Sequence, residues 1–227
     1  MSESPAEPHV FESAAELGLT TPRAAGVAGI VFSVLFVTAL VLLRQTLGRG
    51  LDTRTVMANV TGHGSTPALL GLYAVPFAGI SFLWFIGVVR DRIGEREDRF
   101  FATVFFGSGL LFVAMMFASA AVIGGLVAGA RFGTATPTDV ATVGFARSVG
   151  YSFLFVYAAK AAGVFTLATS TIVRRSRWPR WTYLSGFAVA AALILSISFF
   201  ELVVLLFPVW VTAISVYVLL TGARARG

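Results

Sequence analysis

The chain has 227 residues, of which 57% are hydrophobic and 12% charged, and its formal net charge is +6. A soluble core of that size cannot bury so much apolar material, so water is excluded as the main solvent. The absence of cysteine excludes disulfides, thiolate metal sites and cysteine nucleophiles.

Residues 1–23 carry Glu3, Glu7, Glu12 and Glu16 against a single arginine, and they read as a mobile acidic tail. A cleaved secretory signal would need a basic start and a shorter apolar run, so the first apolar segment, Ala24 to Leu43, is expected to be retained. The following loop contains His63 in TGHGST and a glycosylation-type Asn59-Val60-Thr61. The second segment runs from Ala68 to Val89 and contains Pro76, which Gly107-Ser108-Gly109 matches in the third as a candidate kink. Between them, Arg90 to Arg99 alternates four arginines with four carboxylates, and both flanking helices are expected to continue toward a turn at Gly94.

The third segment, Phe100 to Ala130, places Gly107, Ala114, Ala118, Ala121, Gly125 and Ala128 at steps of three, four or seven, and Gly125 with Gly129 forms a GxxxG. Such a stripe predicts close helix packing within one subunit, with a homo-oligomer or another membrane protein as the alternative partner. In the fourth segment, Ser148 to Val173, Lys160 lies in an apolar run. An intramembrane lysine costs ~2.5 to 3.5 kcal/mol on insertion scales, so it is expected either to serve an ion or substrate path with Tyr157 or to snorkel and pair with Glu201. Arg174, Arg175, Arg177 and Arg180 then form a loop without compensating acid, which predicts contact with anionic lipid headgroups.

From Thr182 to Thr221 the strong interruptions are Glu201 and Pro208. One helix of that length would reach ~60 Å, twice the hydrocarbon thickness, so two segments are predicted, Thr182 to Phe200 and Leu202 to Thr221, joined by a hairpin near Glu201. Residues 222–227 form a short basic tail. The fold class is therefore an all-α polytopic bundle of about six spans.

Orientation follows from the basic residues beside the spans. Arg23, Arg90, Arg92, Arg96, Arg99, Arg174, Arg175, Arg177, Arg180, Arg224 and Arg226 fall on one side, and Arg44, Arg49, Arg54, Arg131 and Arg147 on the other. The richer side is expected to be cytoplasmic, which puts both termini inside. Trp178, Trp181 and Tyr183 fit an interfacial belt there.

Catalysis is poorly supplied. The histidines are His9 and His63, neither with a spaced partner, and the sequence has no HExxH, GxSxG or phosphate loop. No metal, no cofactor, no nucleic acid and no catalytic residue is expected. All basic residues except Lys160 are arginine, which with the Ala and Gly richness points to a GC-rich genome and a bacterial plasma membrane. The stretch PFAGISFLWFIGVVRDRIGEREDRFFATVFFGSGLLFVAMMF, residues 76–117, resembles small multi-pass membrane proteins of actinobacterial type. That resemblance implies a membrane location and no particular activity. A non-catalytic membrane subunit or scaffold is the expected function, ahead of a small transporter or channel using Lys160, with a membrane-embedded enzyme third.

Overall fold

A computed structural model describes residues 22–48, 50–62, 65–93, 99–132, 139–175, 178–196 and 201–224. Every element among them is helical: α1 (Pro22–Leu47), α2 (Thr53–Thr61), α3 (Ser65–Ile93), α4 (Arg99–Phe132), α5 (Val140–Tyr151), a π-helical segment (Ser152–Ala158), α6 (Ala159–Arg175), α7 (Arg180–Leu195), a 3₁₀ turn (Glu201–Leu205) and α8 (Leu206–Arg224). Helices close their backbone hydrogen bonds within one segment, the requirement that a long apolar run meets when water is scarce. α5, the π segment and α6 form one unbroken rod.

Five stretches are long and apolar enough to cross a membrane: Gly26–Leu47, Ser65–Gly87, Phe100–Ala130, Val140–Arg175 and Leu202–Thr221. The expected sixth, Thr182 to Phe200, corresponds to α7, whose 16 residues end at Leu195. At ~1.5 Å per residue α7 rises ~24 Å, short of a ~30 Å hydrocarbon layer. Pro179 precedes α7 with an extended backbone, and Ser196 leaves it at ψ 130°.

Contacts at opposite helix ends show an alternating arrangement. Gly26 of α1 meets Leu219 of α8, while Ser33 reaches Pro208 O at 3.0 Å, so these two helices run antiparallel. α3 runs against α1 by the same test, with Gly71 beside Ala39 and Phe82 beside Phe32. α4 returns along α3, with Gly109 against Ile86 and Gly79 against Phe117. α6 meets α7 through Gly163 near Ile194 at one end and Ser170 near Gly186 at the other. Trp178 and Trp181 lie against Tyr217 at 5.2 and 5.8 Å, which places the start of α7 beside the end of α8. α7 and α8 therefore run antiparallel, as a hairpin near Glu201 requires, and residues 197–200, which join them, lie outside the described residues.

The ends of α1, α4 and α7 lie at one end of the bundle, with α2 packed there. Leu47, Val56, Val60, Ala68, Ile123, Leu126, Val127 and Val143 form a small separate core at that end. α2 lies within the expected loop, and the nine residues between Asp52 and Gly62 are too few to form a span. Asp52 caps α2 by accepting from the Thr55 backbone N–H at 3.0 Å, and the Thr55 hydrogen bonds hold its carboxyl below the ordinary value. The fourth segment likewise begins earlier than Ser148, at Val140, where Asp139 accepts from Ala141 N–H at 2.9 Å. α8 continues to Arg224, so the expected tail at 222–227 is helical at its start. α3 is continuous through Pro76.

The small-residue stripe on α4 requires a correction. Gly107, Ala114, Ala121, Gly125, Ala128 and Gly129 are exposed and Ala118 is half-buried, so the stripe faces away from the bundle. A Cβ added at Gly107, Gly125 or Gly129 would meet nothing within 4 Å. Close approach within the chain uses other glycines instead: a Cβ on Gly150 would lie 2.7 Å from Ile123, and one on Gly163 2.7 Å from Ile194. The spacing read from sequence was genuine, but spacing alone does not say which face of a helix meets its neighbours.

These positions separate experimentally. Gly150→Val and Gly163→Val force carbon into occupied space and should lower the unfolding free energy by ~1 to 3 kcal/mol, whereas Gly125→Leu should leave it within ~0.5 kcal/mol of wild type. Thermal unfolding in detergent checks both; a Gly125→Leu protein as unstable as Gly150→Val would return the stripe to the interior.

Candidate functional site

Two helix ends near the α2 end of the bundle lack the intrahelical partners that their last carbonyls need. The α5–α6 rod supplies side chains to both. At the end of α1, Arg147 Nη2 donates to Gly48 O at 2.8 Å and Arg147 Nη1 to Leu51 O at 2.9 Å. Tyr151, one turn on and on the same face, donates its hydroxyl to Leu47 O at 3.3 Å, and Asn59 of α2 donates to Thr46 O at 3.3 Å.

Lys160 performs the equivalent task for α7. Its Nζ donates to Leu193 O at 3.0 Å and to Ser196 O. Ser196 N–H returns to Ala192 O at 3.0 Å, and its hydroxyl donates to Leu193 O at 3.1 Å. An ammonium carries three donors, so two are committed to the carbonyl end of one helix, where the helix dipole also favours a cation. Gly163, on the same face of α6 as Lys160, lets the two backbones approach closely enough for the lysine stem to reach.

This arrangement gives Lys160 main-chain partners and does not bring it together with Tyr157. Tyr157 is 57% exposed and packs against Phe153 at 6.1 Å, so it does not join Lys160 in a path. Tyr157 belongs to the π segment, whose winding upsets the α-helical phase on which that pairing depended. The Glu201 side chain, the other expected partner, lies outside the described residues.

Behind this layer the centre of the bundle is filled by aromatic rings. Phe32, Phe36, Phe82, Phe112, Phe165 and Phe207, from α1, α3, α4, α6 and α8, are buried, with Phe85 and Phe105 beside them. Phe82 touches Phe32 at 4.7 Å, Phe112 at 5.1 Å, Phe165 at 5.2 Å and Phe207 at 5.5 Å between ring centroids. Rings at such separations contribute ~0.5 to 1.5 kcal/mol per pair beyond their buried area. The reading of the sequence had not singled them out. Their signal was present as helical spacing, Phe32 with Phe36 and Phe82 with Phe85.

On the far side of the rings, Trp210 Nε1 and Ser215 Oγ are buried without a hydrogen-bond partner among the described residues. Both residues line a cavity of about 20 Å³ bordered by Thr169, Ser170 and Thr182. A space of ~10 to 15 Å³ accommodates one water, so the cavity suits a single water-sized hydrogen-bonding group.

At that end of the bundle Arg174, Arg175 and Arg180 are exposed, and Arg177 lies outside the described residues. The Arg175 guanidinium stands 5.4 Å from the Phe101 ring centre and that of Arg90 5.9 Å from Phe106. No protein-family model, curated protein or solved structure matches the chain.

The role of Lys160 predicts the sign of one substitution. The insertion cost of an ammonium applies to inserted chains whether or not the helices have packed, but the bonds to the α7 carbonyls exist only after packing. Lys160→Met should therefore lower folded stability in detergent by about 1.5 to 3 kcal/mol, the range for hydrogen bonds to charged groups, and Lys160→Arg should lose less. A Lys160→Met melting curve at or above wild type would show that the carbonyls of α7 do not depend on it.

Proposed function

We propose that this chain is a multi-pass protein of a bacterial plasma membrane, with both termini inside, acting as a non-catalytic subunit or scaffold rather than as a transporter. The observation that carries the reading is the engagement of Lys160 by Leu193 O and Ser196 O. A cation on a transport path has to exchange partners with the transported species, and this one is committed to a helix terminus. The phenylalanine cluster supports the same conclusion, because it occupies the central position where a path between the two ends of the bundle would run.

Partners in this reading are anionic lipid headgroups at the arginine-rich end and other membrane proteins. Arg174, Arg175 and Arg180 are exposed beside Trp178 and Trp181, a combination of cation and amphipathic ring that suits a membrane–water boundary. The outward small-residue face of α4 offers a surface on which a second helix, from another copy or another protein, could pack closely.

Two measurements test the proposal. Single cysteines at Gly94 and Ser176 should be labelled only from the cytoplasmic side and those at His63 and Thr136 only from outside; external labelling at Ser176 overturns the orientation. Purified protein in vesicles should pass protons, sodium or potassium no faster than empty vesicles. A flux that wild type supports and Lys160→Met abolishes would establish the transporter instead.

A further inference from the structure

Hydroxyls inside apolar helices have a ready partner, the carbonyl four residues back on their own helix. Ser33, Thr166, Thr169, Ser170 and Thr212 all take it, at 2.7 to 2.9 Å. Ser215, fully buried on α8, does not. Its Oγ has no partner among the described residues, and neither has the indole Nε1 of Trp210, which is 4% exposed on the same helix. Both side chains line the cavity of about 20 Å³ that Thr169, Ser170 and Thr182 border. Close backbones hem them in: a Cβ on Gly29 would run into Ser215 Oγ, and one on Gly186 would lie 3.2 Å from Trp210 Cζ2.

The chemistry of the wall selects the occupant. Thr169 donates its hydroxyl proton to Phe165 O at 2.7 Å, Ser170 to Thr166 O at 2.7 Å and Thr182 to Pro179 O at 2.6 Å, so these three oxygens offer only lone pairs. The indole N–H of Trp210 is a donor only, and the Ser215 hydroxyl brings a second proton. A guest therefore meets two protons that lack acceptors and lone pairs that lack donors. A cation would face the indole proton and an anion the three lone-pair oxygens. No charged side chain among the described residues lines the cavity to balance either. A neutral molecule that accepts twice and donates twice fits. At ~10 to 15 Å³ per water, 20 Å³ has room for one and for little else.

We infer that this cavity is the binding site of one ordered water, which accepts from Trp210 Nε1–H and Ser215 Oγ–H and donates to hydroxyl oxygens of α6 and α7. The water ties α8 to both of those helices at the end of the bundle opposite Lys160. Supply is close at hand: Thr182 follows the exposed Arg180 by two residues, a rise of ~3 Å, so the cavity lies just inside the arginine-rich surface. The inference depends neither on the orientation of the chain in a membrane nor on whether the protein transports anything.

The test is water-edited solid-state NMR on the full chain in proteoliposomes, with the indole nitrogens of its four tryptophans labelled. Trp210→Phe assigns the Trp210 signal. In wild type the Trp210 Nε1 proton should draw magnetisation from water as fast as that of Trp181, which is 45% exposed at the arginine-rich end. It should do so several-fold faster than that of Trp84, which is 66% exposed on the apolar length of α3. Ser215→Val puts carbon into the cavity and should bring the transfer down to the Trp84 rate. Thr169→Val loses an acceptor at nearly constant volume and should slow it, and this variant decides alone if Ser215→Val does not fold. Unshifted Trp84 and Trp181 signals verify folding in each case. A wild-type Trp210 rate no faster than that of Trp84 would mean a dry cavity and overturn the site. Fast transfer left unchanged by the valine variants would mean that water reaches the indole by another route, and would overturn it equally. A Trp210 signal that moves when sodium chloride is replaced by sodium fluoride or by potassium chloride would assign the cavity to an ion and overturn the water.

Discussion

Backbone carbonyls at the ends of helices set the conditions for the rest of this structure. A helix leaves its last four carbonyls without intrahelical partners, and where water is scarce each must find a donor elsewhere. α1 and α7 both end beside the same rod, and that rod provides Arg147, Tyr151 and Lys160 to them. Cations suit the task for two reasons: charge-assisted hydrogen bonds are stronger than neutral ones, and the carbonyl end of a helix is the negative end of its dipole. An otherwise costly lysine in an apolar helix is thereby matched to an otherwise costly set of carbonyls.

Packing reinforces this division of labour. Gly150 and Gly163 lie within three residues of Tyr151 and Lys160 and remove the Cβ atoms that would keep Ile123 and Ile194 at a distance. The rod is held close to its neighbours at the places where its polar side chains must reach across. Elsewhere the bundle relies on bulk, with phenylalanines from five helices meeting around Phe82. In a bilayer, where apolar association gains little from water, such dense contact between rings is what remains to favour one arrangement over others.

Much of the fold was legible in the sequence, because long apolar runs and their breaks follow directly from helix rise and hydrocarbon thickness. The division of the last apolar stretch into α7 and α8 came from that arithmetic. The side to which a helix turns its residues did not. For α4 the small-residue periodicity was correct and its direction was not, since Ala and Gly occupy outward-facing and buried positions alike. Lys160 was conspicuous as a charge, but its partners are main-chain oxygens, which every residue possesses and no sequence pattern marks. Arg147 was counted only toward orientation, though its spacing of four from Tyr151 already placed both on one face.

The π segment also sets the register of the rod. In a π turn each residue advances less around the axis than in an α-helix, so Ser152–Ala158 rotates everything after it relative to everything before. Arg147 and Tyr151 can thus address one neighbour while Lys160 and Gly163 address another, from a single unbroken helix. The segment acts as a phase adjuster, and it makes the length of this stretch, more than its composition, the quantity on which both contacts depend. Conservative exchanges of its side chains leave the angle intact, whereas losing or gaining one residue there would misalign both helix ends at once.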